Sequence, residues 1–134
     1  MIPHHKGMAG HSDADVLIHA IIDALLGAAG LPDIGSQFPD TDPRYKGIDS
    51  GILLRDTLEM VRSEGFEIGN VDAIVSLQSP KIAAYIPEMV HLLSDMMQIS
   101  TKRLSIKAKT GENLGFVGRE EGVAAYAVAL LVMR

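Results

Sequence analysis

The stretch HSDADVLIHAIIDALLGAAGLPDIG, residues 11–35, decides how the chain folds. Between Asp15 and Ala29 it is apolar or small at nearly every position, from Val16, Leu17 and Ile18 to Ala24, Leu25 and Leu26. Asp15, His19 and Asp23 break the run, and their i, i+4, i+8 spacing sets them on one narrow stripe of a helix. Such a helix is buried over most of its surface and turns its polar stripe towards a crevice, an interface or a ligand. Ser12 or Asp13 is the expected N-cap, with Asp13 and Asp15 complementing the positive helix end. The helix is expected to run to about Ala29, where Gly30 and then Pro32 stop it.

Outward from that helix, residues 31–43 (LPDIGSQFPDTDP) are turn chemistry throughout. A second helix is expected from about Ser50 to Ser63, with Ile52 or Leu54, Leu58 and Val61 as its apolar stripe and Gly65 as its end. Gly69-Asn70 separates two expected strands, Phe66–Ile68 and Val71–Leu77. The second of these alternates, with Val71, Ala73, Val75 and Leu77 on one face. A third helix fits Pro87 to Met97, with Pro87 suited to its first turn. Arg103 to Lys109 alternates as a further strand, and the apolar run Val123–Met133 suits either a buried strand or a helix. No internal repeat or linker interrupts this order, so residues 1–134 are expected to form a single α/β (α+β) sandwich, a mixed sheet with helices packed on one face.

Composition narrows the function. The chain has 134 residues, 47% hydrophobic, with a net charge of −5 and the two signs mixed along it, so no duplex-binding footprint is evident and no nucleic-acid partner is expected. The absence of cysteine excludes disulfides and thiolate catalysis and leaves any metal to His, Asp or Glu. The start of the chain has no apolar signal region, and the longest apolar run is too short to span a bilayer, so no membrane association and a cytoplasmic location are expected.

Several groups could carry chemistry. His19 between two carboxylates suits a metal ligand oriented by a neighbouring acid, although a buried histidine is more often a hydrogen-bonded structural one. His11-Ser12 before the helix suits an anion at exposed backbone N–H groups, or a plain cap. The Asp33 to Pro43 loop could hold polyol hydroxyls, or consist of structural Asx turns. Ser79-Pro80-Lys81 follows a strand, where loops commonly carry function, although a lone loop lysine is usually solvated. Lys107 to Glu112 ends a strand with hydroxyl, amide and carboxylate groups suited to phosphate and Mg²⁺, without the spacing of a Walker loop. Arg119 on the glycine-rich turn after Gly115 suits a diphosphate, or a salt bridge with Glu120 or Glu121.

Taken together, the segments resemble one family, the 2-C-methyl-D-erythritol 2,4-cyclodiphosphate synthases. The matching blocks are residues 11–35, FPDTDPRYKGIDS (38–50), GNVDAIV (69–75), SPK (79–81) and KTGENLGFVGREEG (109–122), in the family's order and over nearly the whole chain. The resemblance implies a homotrimer with active sites between neighbouring subunits and a ring-closing phosphoryl transfer. In that reaction the 2-phosphate of 4-diphosphocytidyl-2-C-methyl-D-erythritol 2-phosphate attacks its own β-phosphorus and CMP leaves, a phosphorus–oxygen lyase reaction of the non-mevalonate isoprenoid pathway.

The same resemblance implies the site. His19 is a Zn²⁺ (or similar divalent metal) ligand, and Glu112 coordinates Mg²⁺ or Mn²⁺. The implied catalytic set is His11, Lys109, Thr110 and Glu112, with Ser12 beside His11 at the substrate phosphates. Asp33 and Gly35 bind the methylerythritol portion, with Phe38 and Asp40 also in the substrate set. Pro80, Lys81 and Ile82, with Ala108, Lys109 and Thr110, form the cytidine and α-phosphate pocket. Phe116 and Arg119 line a central trimer cavity able to hold an isoprenoid diphosphate. Two departures stand out. The family's first strand, whose Asp-x-His motif completes the zinc site, is not among residues 1–134. The domain is therefore expected to be N-terminally incomplete, whether through a longer polypeptide, a truncation or a natural short form, and to supply one of three protein ligands. His4 and His5 match no ligand position. Lys109 stands where many of these enzymes have threonine and adds positive charge near the phosphates. A trimer that keeps nucleotide or isoprenoid-diphosphate binding without turnover is the alternative, a purely structural trimer a third, and metal stoichiometry separates enzyme from silent binder.

Overall fold

In a computed structural model of the chain, residues 7–39, 49–76, 82–109 and 124–134 are described, those at 7–14 and 82–83 by their backbone alone. Helix α1 spans Gly7–Ala28, the single turn α2 Ile34–Gln37, α3 Ser50–Ser63 and α4 Ile86–Met97. Strand β1 spans Phe66–Ser76, β2 Leu104–Lys109 and β3 Ala124–Met133, with short 3₁₀ turns at Ile82–Tyr85 and Thr101–Arg103.

Helix α1 begins earlier than its cap residues predict. Ser12 and Asp13 lie inside it, so neither caps it, and no acidic side chain stands in its first turn. Once the buried face downstream has nucleated the helix, each preceding residue fixed gains one backbone bond that offsets its entropy cost, and the ladder runs through them. Its end is as expected. Gly30 takes φ +76°, Leu31 N–H donates to Leu26 O at 2.8 Å, and Gly30 N–H donates to Gly27 O at 3.1 Å. That pair of bonds is a Schellman cap, and a side chain at Gly30 would resist its left-handed backbone.

The three strands form one sheet in the order β2-β1-β3, with β2 parallel and β3 antiparallel to β1. Phe66–Ile68 and Val71–Ser76 are one strand, not two. The register on β3 slips between Ile68 and Asn70, leaving Gly69 as the extra residue of a bulge. Period-2 alternation alone would send Ile68 and Val71 to opposite faces; the extra residue restores the phase, and both are buried. A Cβ at Gly69 would lie 3.0 Å from the Leu130 carbonyl oxygen, which explains glycine at the bulge. The terminal apolar run is a strand. Ala125, Ala127, Ala129 and Leu131 face inwards against the core, while Tyr126, Val128, Leu130 and Val132 face out.

Helices α1, α3 and α4 cover the inner face of the sheet. Leu17, Ile21, Ile22, Leu25 and Leu26 of α1 meet Leu54, Leu58 and Val61 of α3, Met89, Leu93 and Met97 of α4, and Val71, Ala73, Val75, Leu104 and Ile106 of the sheet. On α3 the stripe runs through Leu54, not Ile52, which is 45% exposed. Arg62 ties the layers at their rim: its Nε donates to Glu67 Oε1 at 2.8 Å, and its terminal nitrogens donate to Gln98 Oε1 and Met97 O at the end of α4. No helix among the described residues is long and apolar enough to cross a membrane.

Candidate functional site

The polar stripe of α1 meets the starts of two other helices. Asp49 caps α3, its Oδ1 accepting from Gly51 N–H at 2.6 Å, and this fixes Ser50 as the first residue of the helix. The Ser50 hydroxyl donates to Asp15 Oδ1 at 2.7 Å and lies 3.3 Å from His19 Nε2. Ser50 is 8% exposed, whereas Asp15 and His19 are exposed, so a buried hydroxyl backs an open imidazole. One turn further along α1, Asp23 Oδ1 accepts from Ile34 N–H at 2.9 Å. That bond moors the first turn of α2 to the same stripe.

Asp33 precedes α2 with extended backbone angles and caps it, accepting from Ser36 N–H at 2.9 Å. The Ser36 backbone N–H, and after it the Ser36 hydroxyl, hold the Asp33 carboxyl below its ordinary range, so it is an anion at neutral pH. Gly35 lies in the same turn and is exposed. His19, Asp33 and Gly35, far apart in their sequence cues, thus sit on elements joined through Asp23. Phe38 goes elsewhere: at 5% exposure it is part of the core, so its ring has a packing role.

A second group lies at the end of β2. Ala108 and Lys109 are consecutive strand residues and leave the sheet on opposite faces, Ala108 packing against the core and Lys109 exposed. Lys107 shares the outer face and pairs with Asp72 of β1 at 2.9 Å, which holds the Asp72 carboxyl below its usual range. Among the described residues, no hydrogen bond or ion pair joins this strand end to His19.

His11 and Ser12 lie within α1, past its first turn, so their N–H groups belong to the helix ladder and not to an open helix start. An anion held by N–H groups at that point is therefore excluded, and their side chains are outside the described atoms. Ile82 opens the 3₁₀ turn before α4, described by its backbone. Asp40, Pro80, Lys81, Thr110, Glu112, Phe116 and Arg119 lie outside the described residues.

The sequence does not mark Ser50 for this role. Its one sequence signal is the Asp-Ser start of a helix, which indicates a cap and not a partner 31 residues away.

Zinc takes imidazole and carboxylate donors, usually three from the protein and often four in all. Among the described residues no group of three His, Asp or Glu side chains is placed to hold a metal ion. The imidazole of His19 is chemically fit to be one ligand, but the described residues alone do not complete a site.

Residues 1–132 match the YgbB family. The chain is 58% identical over 131 residues to the 2-C-methyl-D-erythritol 2,4-cyclodiphosphate synthase of Porphyromonas gingivalis, covering 98% of this chain and 81% of that protein. Among solved structures, the bifunctional IspDF of Campylobacter jejuni superposes with a TM-score of 0.85 at 41% identity, covering 89% of this chain and 32% of the larger one. The CDP complex of IspF from Plasmodium falciparum superposes with a TM-score of 0.78 at 33% identity, covering 89% of this chain and 71% of that one. By sequence along nearly its whole length and by fold, the chain belongs to the YgbB family, that of the 2-C-methyl-D-erythritol 2,4-cyclodiphosphate synthases.

Proposed function

We propose that the chain, as one domain over residues 1–134, converts 4-diphosphocytidyl-2-C-methyl-D-erythritol 2-phosphate to 2-C-methyl-D-erythritol 2,4-cyclodiphosphate and CMP in the non-mevalonate route to isoprenoids. The observation that carries this is the 58% identity, over 98% of the chain, to an enzyme bearing that product's name. The CDP complex of a structural relative supports a cytidine nucleotide as the leaving portion.

In the reaction a 2-phosphate oxygen bonds to the β-phosphorus. The bond from that phosphorus to the oxygen bridging it to the α-phosphorus breaks, and CMP departs with the electron pair. Both reacting groups belong to one substrate, so the protein supplies orientation and charge neutralisation and needs no nucleophile of its own. Asp33, kept anionic by Ser36, accepts hydrogen bonds from the methylerythritol hydroxyls, and Gly35 lets the backbone approach them. Ala108 and Lys109, with Thr110, Pro80, Lys81 and Ile82, hold the cytidine and α-phosphate, Lys109 adding positive charge. His11 and Ser12 reach the phosphates, and Asp40 completes the loop around the sugar, Phe38 anchoring the start of that loop in the core. His19 would hold Zn²⁺ or a similar ion and Glu112 would hold Mg²⁺ or Mn²⁺, and the chemistry such ions would supply is polarisation of phosphoryl oxygens and neutralisation of their charge.

The site is shared between neighbours of a homotrimer, Phe116 and Arg119 lining its axis where an isoprenoid diphosphate fits. The outward apolar face of β3 and the lack of any bond, among the described residues, between the β2 end and His19 support that reading. Phosphorus NMR of the full chain with substrate, Mg²⁺ and Zn²⁺ tests the proposal. CMP and a cyclic diphosphate are expected in equal amounts, and a chain that binds nucleotide without turning it over is not this enzyme.

A further inference from the structure

We propose that Ser50, held by Asp15, is a positioning residue that locks His19 in the Nε2–H tautomer and leaves Nδ1 as its free lone pair. A serine hydroxyl has one proton and two lone pairs. At 2.7 Å from Asp15 Oδ1, that proton is committed to the carboxylate, which when ionised can only accept. The oxygen then faces His19 Nε2 at 3.3 Å with lone pairs alone, so the hydrogen bond between them needs its proton on Nε2. A neutral imidazole has one N–H, and Nδ1 is left as the acceptor. Among the described residues no other group hydrogen-bonds the ring.

The joint is built to keep this direction. Ser50 is the first residue of α3, its backbone pinned by the Asp49 cap, and it is 8% exposed. Its oxygen therefore stays between the two side chains, and of the two acceptors within reach the carboxylate, which makes the shorter, charge-assisted bond, takes the proton. Asp15 and His19 stand one helical turn apart on α1, so helix geometry sets both sides of the hydroxyl. A bond that served packing alone would be satisfied by either direction of donation; the carboxylate behind the serine selects one. The consequence for metal binding rests on the proposed function: an ion at His19 takes Nδ1, while Nε2–H donates into a hydroxyl–carboxylate pair that orients the ring and raises its basicity. The tautomer itself does not depend on that function.

Long-range proton–nitrogen NMR of the full, metal-free chain labelled with ¹⁵N-histidine reads the tautomer directly, in alkaline buffer where free imidazoles are neutral. The signals of His19 are those lost in His19→Gln. Wild type is expected to show one tautomer, Nε2–H, and Ser50→Thr, which keeps the hydroxyl, to retain it. Ser50→Ala and Asp15→Asn are expected to give a mixture, and Ser50→Ala to weaken Zn²⁺ binding by about 10- to 100-fold, as the loss of an outer partner does. An Nδ1–H signal in wild type, or a single unchanged tautomer in Ser50→Ala, overturns the proposal. Failure of turnover in a wild-type chain with the expected tautomer overturns the proposed function and leaves the lock standing.

Discussion

Gly65 shows what a single residue can decide. It follows α3 with φ +91°, donates to Arg62 O at 2.9 Å, and accepts from Arg134 N–H at 2.9 Å. Nothing crowds its missing Cβ, so the demand for glycine is conformational and not steric. Gly65→Ala is expected to lower stability by about 1–2 kcal/mol, the cost of a left-handed backbone for an L side chain. Urea unfolding checks this, with a lower midpoint at unchanged slope. The glycine stops at 30 and 65 were legible in the sequence because glycine has few other reasons to stand at the end of an apolar stripe. Gln98 was not: it closes α4 in the same left-handed region at φ +56°, and no composition rule marks a glutamine for that. Ser50 was equally hidden, since its partners come to it from α1 across 31 and 35 residues of chain.

At the scale of elements, periodicity located α3, α4 and β2 within a residue or so, because each buries one regular face. It failed where the ladder outran its cue, at the start of α1, and where a bulge changed the phase, at Gly69. The terminal strand was undecidable because a run of apolar residues carries no period; pairing along β1 decides it. The joint between α1 and α2 is the element-level feature that concerns function. Asp23 holds Ile34 N–H, and through it the turn bearing Asp33 and Gly35. Asp23→Ala is therefore expected to raise KM several-fold while leaving the melting temperature within a few degrees, since α2 is a single turn with no fully buried residue. Asp23→Asn, which keeps an acceptor oxygen, is expected to restore most of the loss. Steady-state kinetics beside thermal melts separate the two effects, and a KM unchanged in Asp23→Ala rejects the mooring.

For the whole molecule, charge and surface make separate demands. Asp33, Glu67 and Asp72 have depressed carboxyl pKa values, owing chiefly to hydrogen bonds from Ser36, Arg62 and Lys107 respectively. Folded values below the unfolded ones mean a stabilisation complete at neutral pH and lost as pH falls through the folded values, below about pH 4. Melting curves are expected to show that loss, and Glu67→Gln with Asp72→Asn to reduce it. The sheet makes the other demand. Its inner face is covered by helices, yet on its outer face Tyr126, Val128, Leu130 and Val132 are 66%, 72%, 59% and 46% exposed, side by side along β3. Contiguous apolar surface of that kind marks a contact with another molecule. If copies of the chain meet there to form the proposed trimer, Val128→Asp puts a charge into each contact. Sedimentation is then expected to show wild type at three times the chain mass and the variant at one, with the same far-ultraviolet circular dichroism. The half-sites proposed to lie on neighbouring subunits would part, so turnover should fall with the mass. A variant that stays assembled and active would instead leave β3 a free surface and require another face to bring the β2 end to His19.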